Sequence, residues 1–179
     1  MLALGVVIAV VVGGLLAYSL RSRSSSPVAM PSDATIAGRA EPNQPAPRFT
    51  ARDLDGKTVS LASYLGKPIV LSFGASWCHP CNQELPLLVH AAAQHPHDLV
   101  MLSVMHDDLA PDAQRFLRRF HADWPAINDD SNAISTHYGV VGIPQTFFIT
   151  KTGVIQARVY GITSRSALDG PLDRLLATA

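Results

Sequence analysis

Cys78 and Cys81 are the only cysteines in this chain of 179 residues, and they stand three positions apart within "WCHPCNQELP", residues 77 to 86. Two thiols at this spacing can hold a metal, staple the fold, or open and close as a redox pair. A disulfide across so small a loop removes little entropy from the unfolded chain, so it makes a weak staple. A structural zinc site takes four ligands, but there is no second cysteine pair, and of seven scattered histidines only His79 is adjacent. No metal and no other cofactor is expected. Which of the three uses applies depends on the elements that carry the pair.

The run "KPIVLSFGA" just before the cysteines is continuously apolar, as in a strand buried on both faces. The residues after them have helical spacing, with Leu85, Leu88, Val89 and Ala92 on one face. Cys78 therefore stands where a buried strand ends and a helix begins. Unpaired amides of a first helical turn face such a sulfur, and the helix dipole favours its thiolate. Cysteines so placed have lowered pKa values and react. Cys81, one turn on, lies on the same face and can attack a mixed disulfide. Pro80 is acceptable in a first turn, whereas Pro86 is expected to kink the helix. Glu84 either serves the helix N-terminus as any acid would or takes the proton that Cys81 must lose. A protonated His79 would favour the Cys78 thiolate, and the alternative is a solvated side chain. Trp77 reads as a packing and docking residue.

The same alternation runs through the remaining chain. "RFTARDLDGKTVSL" is a hairpin around Asp55-Gly56, followed by a short helix at "LASYLG". "DLVMLSVM" is a second buried strand, and "PDAQRFLRRF" a helix burying Ala113, Phe116, Leu117 and Phe120. "TFFIT" and "VIQARVYG" are strands joined by a tight turn, and Ser164 caps a last helix burying Leu168, Leu172, Leu175 and Leu176. Gly170-Pro171 interrupts the first half of that helix. Asp107, Asp108, Asp129 and Asp130 read as solvated loop acids. The pattern predicts an α/β fold, a central mixed β-sheet flanked by helices, with an N-terminal β-hairpin extension. With 47% hydrophobic residues and zero formal net charge, one globular domain is expected and nothing calls for nucleic acid.

Residues 2 to 20 carry no charge and as a helix would span roughly 28 Å, one bilayer core. A cleaved signal peptide would show a basic start, a shorter apolar run and a small-residue cleavage site. The expectation is therefore an N-terminal transmembrane helix at 1–20, a retained signal-anchor. A flexible Ser/Pro-rich linker follows at 21–45, and the folded domain at 46–179. Arg21 and Arg23 flank the apolar run, and the positive-inside rule taken alone would leave the domain in the cytoplasm.

"WCHPC" after a buried strand, with Pro86 five residues beyond Cys81, resembles the thioredoxin fold. "YGVVGIPQTFFIT" (138–150) is similar to its second signature, in which a cis proline faces the disulfide; Pro144 occupies that position. The closer resemblance, over residues 45 to about 177, is to the membrane-anchored TlpA, ResA and DsbE (CcmG) family. Pro47 and Phe49 match its "P-x-F" entry, and Glu84 its acid three residues past the second cysteine. His79 and Gln145 depart from it, Gln145 standing where cytochrome-maturation members usually carry Glu. A peroxidase of the superfamily has Thr three residues before its reactive Cys; here that residue is Ala75.

The resemblance implies a thioredoxin-like protein thiol-disulfide oxidoreductase working through Cys78 and Cys81, with Glu84, Pro144, His79, Trp77 and Pro80 in support. It implies a single-pass protein of the bacterial inner membrane with its catalytic domain in the periplasm. The partners implied are disulfide-bearing clients, apocytochrome c among them, and a membrane thiol-disulfide electron donor. The expected direction is reduction of client disulfides, including a role in cytochrome c-type biogenesis. The alternatives are a disulfide oxidant or isomerase, or a non-catalytic thioredoxin-like binding or copper chaperone module.

Overall fold

The computed structural model describes residues 40–178. The expected anchor at 1–20 and most of the expected linker lie outside them. Among the described residues no helix is long and apolar enough to cross a membrane.

The hairpin forms as expected, with β1 (Thr50–Arg52) antiparallel to β2 (Thr58–Ser60), and the short helix that follows is a 3₁₀ helix at Leu61–Tyr64. Gly56 has φ +80°, which a glycine takes without penalty. The central sheet comprises β3 (Ile69–Gly74), β4 (Val100–His106), β5 (Ala126–Asp129), β6 (Gln145–Ile149) and β7 (Ile155–Tyr160) in the order β5-β4-β3-β6-β7. β3, β4 and β5 are mutually parallel, while β6 and β7 run antiparallel. The sheet is thus mixed, as the pattern predicts. β5 and the short helix α3 (Ala133–His137) were not foreseen.

The apolar run of β3 divides between two faces because successive side chains of a strand alternate. Ile69, Leu71 and Phe73 join Phe49, Leu61, Tyr138 and Phe147 beneath the hairpin and α3. Val70 joins Leu88, Met101, Phe148 and Leu168 beneath α1 (Cys81–Gln94) and α4 (Arg165–Ala177). A third cluster joins both cysteines to Leu85, Met105 and to Phe116 and Leu117 of α2 (Ala110–Phe120). Each such fully buried side chain contributes about 1.5–3 kcal/mol relative to exposure.

Several details differ from the sequence reading. The buried stripe of α1 is Cys81, Glu84, Leu85, Leu88 and Ala91, with Val89 and Ala92 half-buried. The stripe is rotated because the cysteine and the acid, not the aliphatic residues alone, face the sheet. α1 and α4 run through Pro86 and Pro171 without interruption. Ser164 caps α4 by accepting a hydrogen bond from the Ala167 amide. The chain also joins the domain earlier than residue 46. Ala40 is buried, the Asn43 amide donates to the Ile155 carbonyl, and the Ile155 amide donates to the Gln44 carbonyl.

Candidate active site

β3 ends at Gly74, and two consecutive turns carry the chain through Cys78 to α1, whose first residue is Cys81 with Pro80 at the N-cap. Cys78 and Cys81 form a disulfide. The Cys81 amide donates to Cys78 Sγ at 3.2 Å, the interaction expected between a first-turn N–H and this sulfur. Both cysteines are 4% exposed. The disulfide draws both sulfurs into the same cluster, so the two differ in surroundings rather than in access.

The turn ahead of Cys78 is tied to the end of β4. Asp108 accepts from the Ser76 amide at 2.6 Å and the Ser76 hydroxyl at 2.7 Å. The Trp77 indole N–H donates to the Asp107 carbonyl at 3.0 Å while 60% of the residue stays exposed. Asp108 is therefore buried, and so is Asp129, which accepts from the Ile134 and Ser135 amides. Both correct the reading of these acids as solvated. Asp129 satisfies two amides that would otherwise be buried unpaired, and Asp108 fixes the amide and the hydroxyl of half-buried Ser76.

Glu84 is 2% exposed beneath Cys81. One of its oxygens accepts from the Thr146 and Ser72 hydroxyls, and the other from the Ile162 amide at 2.8 Å. Burial pushes its carboxyl above the ordinary range, and the bonds from Thr146, Ile162 and Ser72 pull in the opposite direction. Glu84, Cys81, Ser72, Ser103 and Pro144 line one cavity of about 20 Å³, room for a single water. The much larger groove of about 410 Å³ lies between the hairpin and α2, and no expected site residue lines it.

The Ile143–Pro144 peptide is cis, and Ile143 packs against the cluster that holds both cysteines. Val141, in the same loop, is 76% exposed. His79 is exposed beside the disulfide. The structure thus gathers Trp77, Cys78, His79, Pro80, Cys81, Glu84 and Pro144 at one end of the sheet. Sequence reasoning missed the three donors to Glu84. Ser72 alone left a signal, as the single hydroxyl in "IVLSFG"; Thr146 and the Ile162 amide reach Glu84 only through strand pairing and chain return.

Comparison with known proteins agrees with this geometry. The AhpC/TSA family matches residues 42–158. The thiol-disulfide oxidoreductase ResA of Bacillus thuringiensis is 26% identical over 76% of this chain and 80% of its own length. A Chlorobium tepidum structure assigned as the thiol:disulfide interchange protein DsbE superposes with a TM-score of 0.71 at 27% identity, covering 76% of this chain and 98% of its own. A secreted Mycobacterium tuberculosis disulfide oxidoreductase, described as homologous to E. coli DsbE, is 30% identical with a TM-score of 0.66, covering 71% of this chain and 96% of its own. The chain belongs to the AhpC/TSA family, as a thioredoxin-like protein thiol-disulfide oxidoreductase of the ResA and DsbE kind.

Proposed function

We propose that the protein reduces disulfides of client proteins outside the cytoplasm, held to the bacterial inner membrane by residues 2–20, with apocytochrome c as one client. The observation that carries the thiol-exchange reading is Glu84, a carboxylate buried beside Cys81 in a shared cavity; the reducing direction is the one the resemblance implies, and the potential decides it. The burial of Glu84 matches the need to take a proton from a thiol, because a base works best with its pKa near the working pH.

In the reduced enzyme the Cys78 thiolate attacks one client sulfur, the client S–S bond breaks, and a mixed disulfide forms as the first client thiolate leaves and is protonated. Cys81 gives its proton to Glu84 through the cavity and attacks Cys78 Sγ. The mixed disulfide breaks, the second client thiolate leaves, and two electrons have passed from the enzyme dithiol to the client. A membrane thiol-disulfide donor restores the dithiol. The client docks on exposed Trp77, Val141 and the Pro144 loop, while His79, when protonated, adds to the field favouring the Cys78 thiolate.

The test is the reduction of insulin by the reduced protein together with its potential against glutathione. Turnover, with a potential between the reducing extreme of about −270 mV and the oxidising extreme of about −120 mV, is expected. No insulin reduction and a value at the oxidising extreme would make the protein an oxidant.

A further inference from the structure

Arg158 lies on β7 opposite Phe147 of β6, and its side chain is only 3% exposed. A guanidinium so buried is costly unless all its donors are matched, and here they are. Nη1 donates to Glu41 Oε1 at 2.9 Å and to the Ala40 carbonyl at 3.5 Å. Nη2 donates to the Gly139 carbonyl at 2.9 Å. With the Gln145 amide oriented so that its oxygen faces the guanidinium, that oxygen accepts from Nη2 at 2.8 Å and also from Nε. The guanidinium also contacts the rings of Phe147, at 5.4 Å, and Tyr160, at 5.0 Å.

Gly139 and Gln145 bracket the loop that contains Val141 and the cis Pro144. One planar fork therefore holds both ends of that loop, a geometry that a lysine could not reproduce. Glu41 belongs to the segment by which the chain enters the domain, ahead of β1. We infer that Arg158 is the positioning residue for the proline loop, setting the surface on which a client chain docks, and that Glu41 makes the entering segment part of that fixture. The inference rests on the reading that this loop contacts the client.

The test uses the full chain with Arg158→Lys and Glu41→Ala, the second at a side chain that is half exposed. Insulin reduction and backbone hydrogen exchange at residues 140–143 are measured beside thermal stability. Both variants are expected to raise KM by about fivefold or more with kcat little changed, the size of a loss near 1 kcal/mol. Exchange at 140–143 should rise with it. Unchanged KM or unchanged loop exchange in Arg158→Lys would overturn the inference, and a lowered Tm alone would leave Arg158 as a fold residue only. If the wild type itself fails to reduce insulin, the reductase reading falls, and loop exchange still decides the role of Arg158.

Discussion

Cys78 and Cys81 share the same low exposure, so their roles must follow from the groups each sulfur meets. Cys78 Sγ has an amide donor from the start of α1, which stabilises a thiolate, whereas Cys81 shares a cavity with Glu84. Cys81→Ser is accordingly expected to accumulate mixed disulfides with clients and Cys78→Ser to accumulate few, read on non-reducing gels; equal trapping would reverse or dissolve the assignment. Glu84 makes a pH prediction with a definite sign. Only its carboxylate can accept the Cys81 proton, and its folded pKa is raised by burial. The resolving step should therefore slow as pH falls through that raised value, and Glu84→Gln should be slow at every pH and lack that limb. Stability gives an independent check. A carboxyl whose folded pKa exceeds its unfolded one contributes stability that is full below the unfolded value and lost as pH rises through the folded value. Urea titrations of the oxidised protein should show that decline, and Glu84→Gln should abolish it. The candidate acid was legible from its spacing to Cys81, but its cage was not, since Ser72 and Thr146 reach it from strands paired across the sheet.

At the scale of elements, the hydrophobic periods located every long strand and helix, because each buries a stripe or a face that the sequence displays. What they missed was the stretch from Ala126 to His137, where β5 is four residues long and α3 only five. Elements so short show too few turns for a period to emerge. They are held by the pairing of β5 with β4, by buried Ile127 and Ile134, and by Asp129, whose two carboxylate oxygens accept from the Ile134 and Ser135 amides across the turn. The sequence shows only an acid among "NDDSN", the usual look of a solvated loop. Asp129→Ala removes both acceptors and leaves two buried amides unpaired. It should lower the unfolding free energy by roughly 1–3 kcal/mol with the denaturant slope unchanged. Asp129→Asn, which keeps one acceptor, should lose less. The consequence extends to the site's surroundings, because α3 leads into Tyr138, whose hydroxyl donates to the Pro47 carbonyl, and then into the proline loop.

For the whole molecule, one end of the sheet holds the Cys78–Cys81 disulfide, the buried acid and the proline loop. The entering chain at Ala40–Gln44 docks beside β7, close to Arg158. Fold and cysteine pair were both legible because they rest on local pattern; compartment is not, because it depends on two signals in conflict. The uncharged run at 2–20 is long enough to span a bilayer, yet Arg21 and Arg23 on its far side favour a cytoplasmic domain under the positive-inside rule. Against them stands the likeness to the TlpA, ResA and DsbE family, which implies an anchored protein with its catalytic domain outside the cytoplasm. On this ground residues 21–179 are expected in the periplasm. Thr178, at the end of α4, is exposed, so a reporter fused after Ala179 should not disturb the core. An alkaline phosphatase fusion, which requires an oxidising compartment to fold, should be active in cells, while a fluorescent protein that matures only in the cytoplasm should stay dark at the same position. The opposite pair of results would place the domain in the cytoplasm and confine its clients to proteins whose disulfides form there transiently.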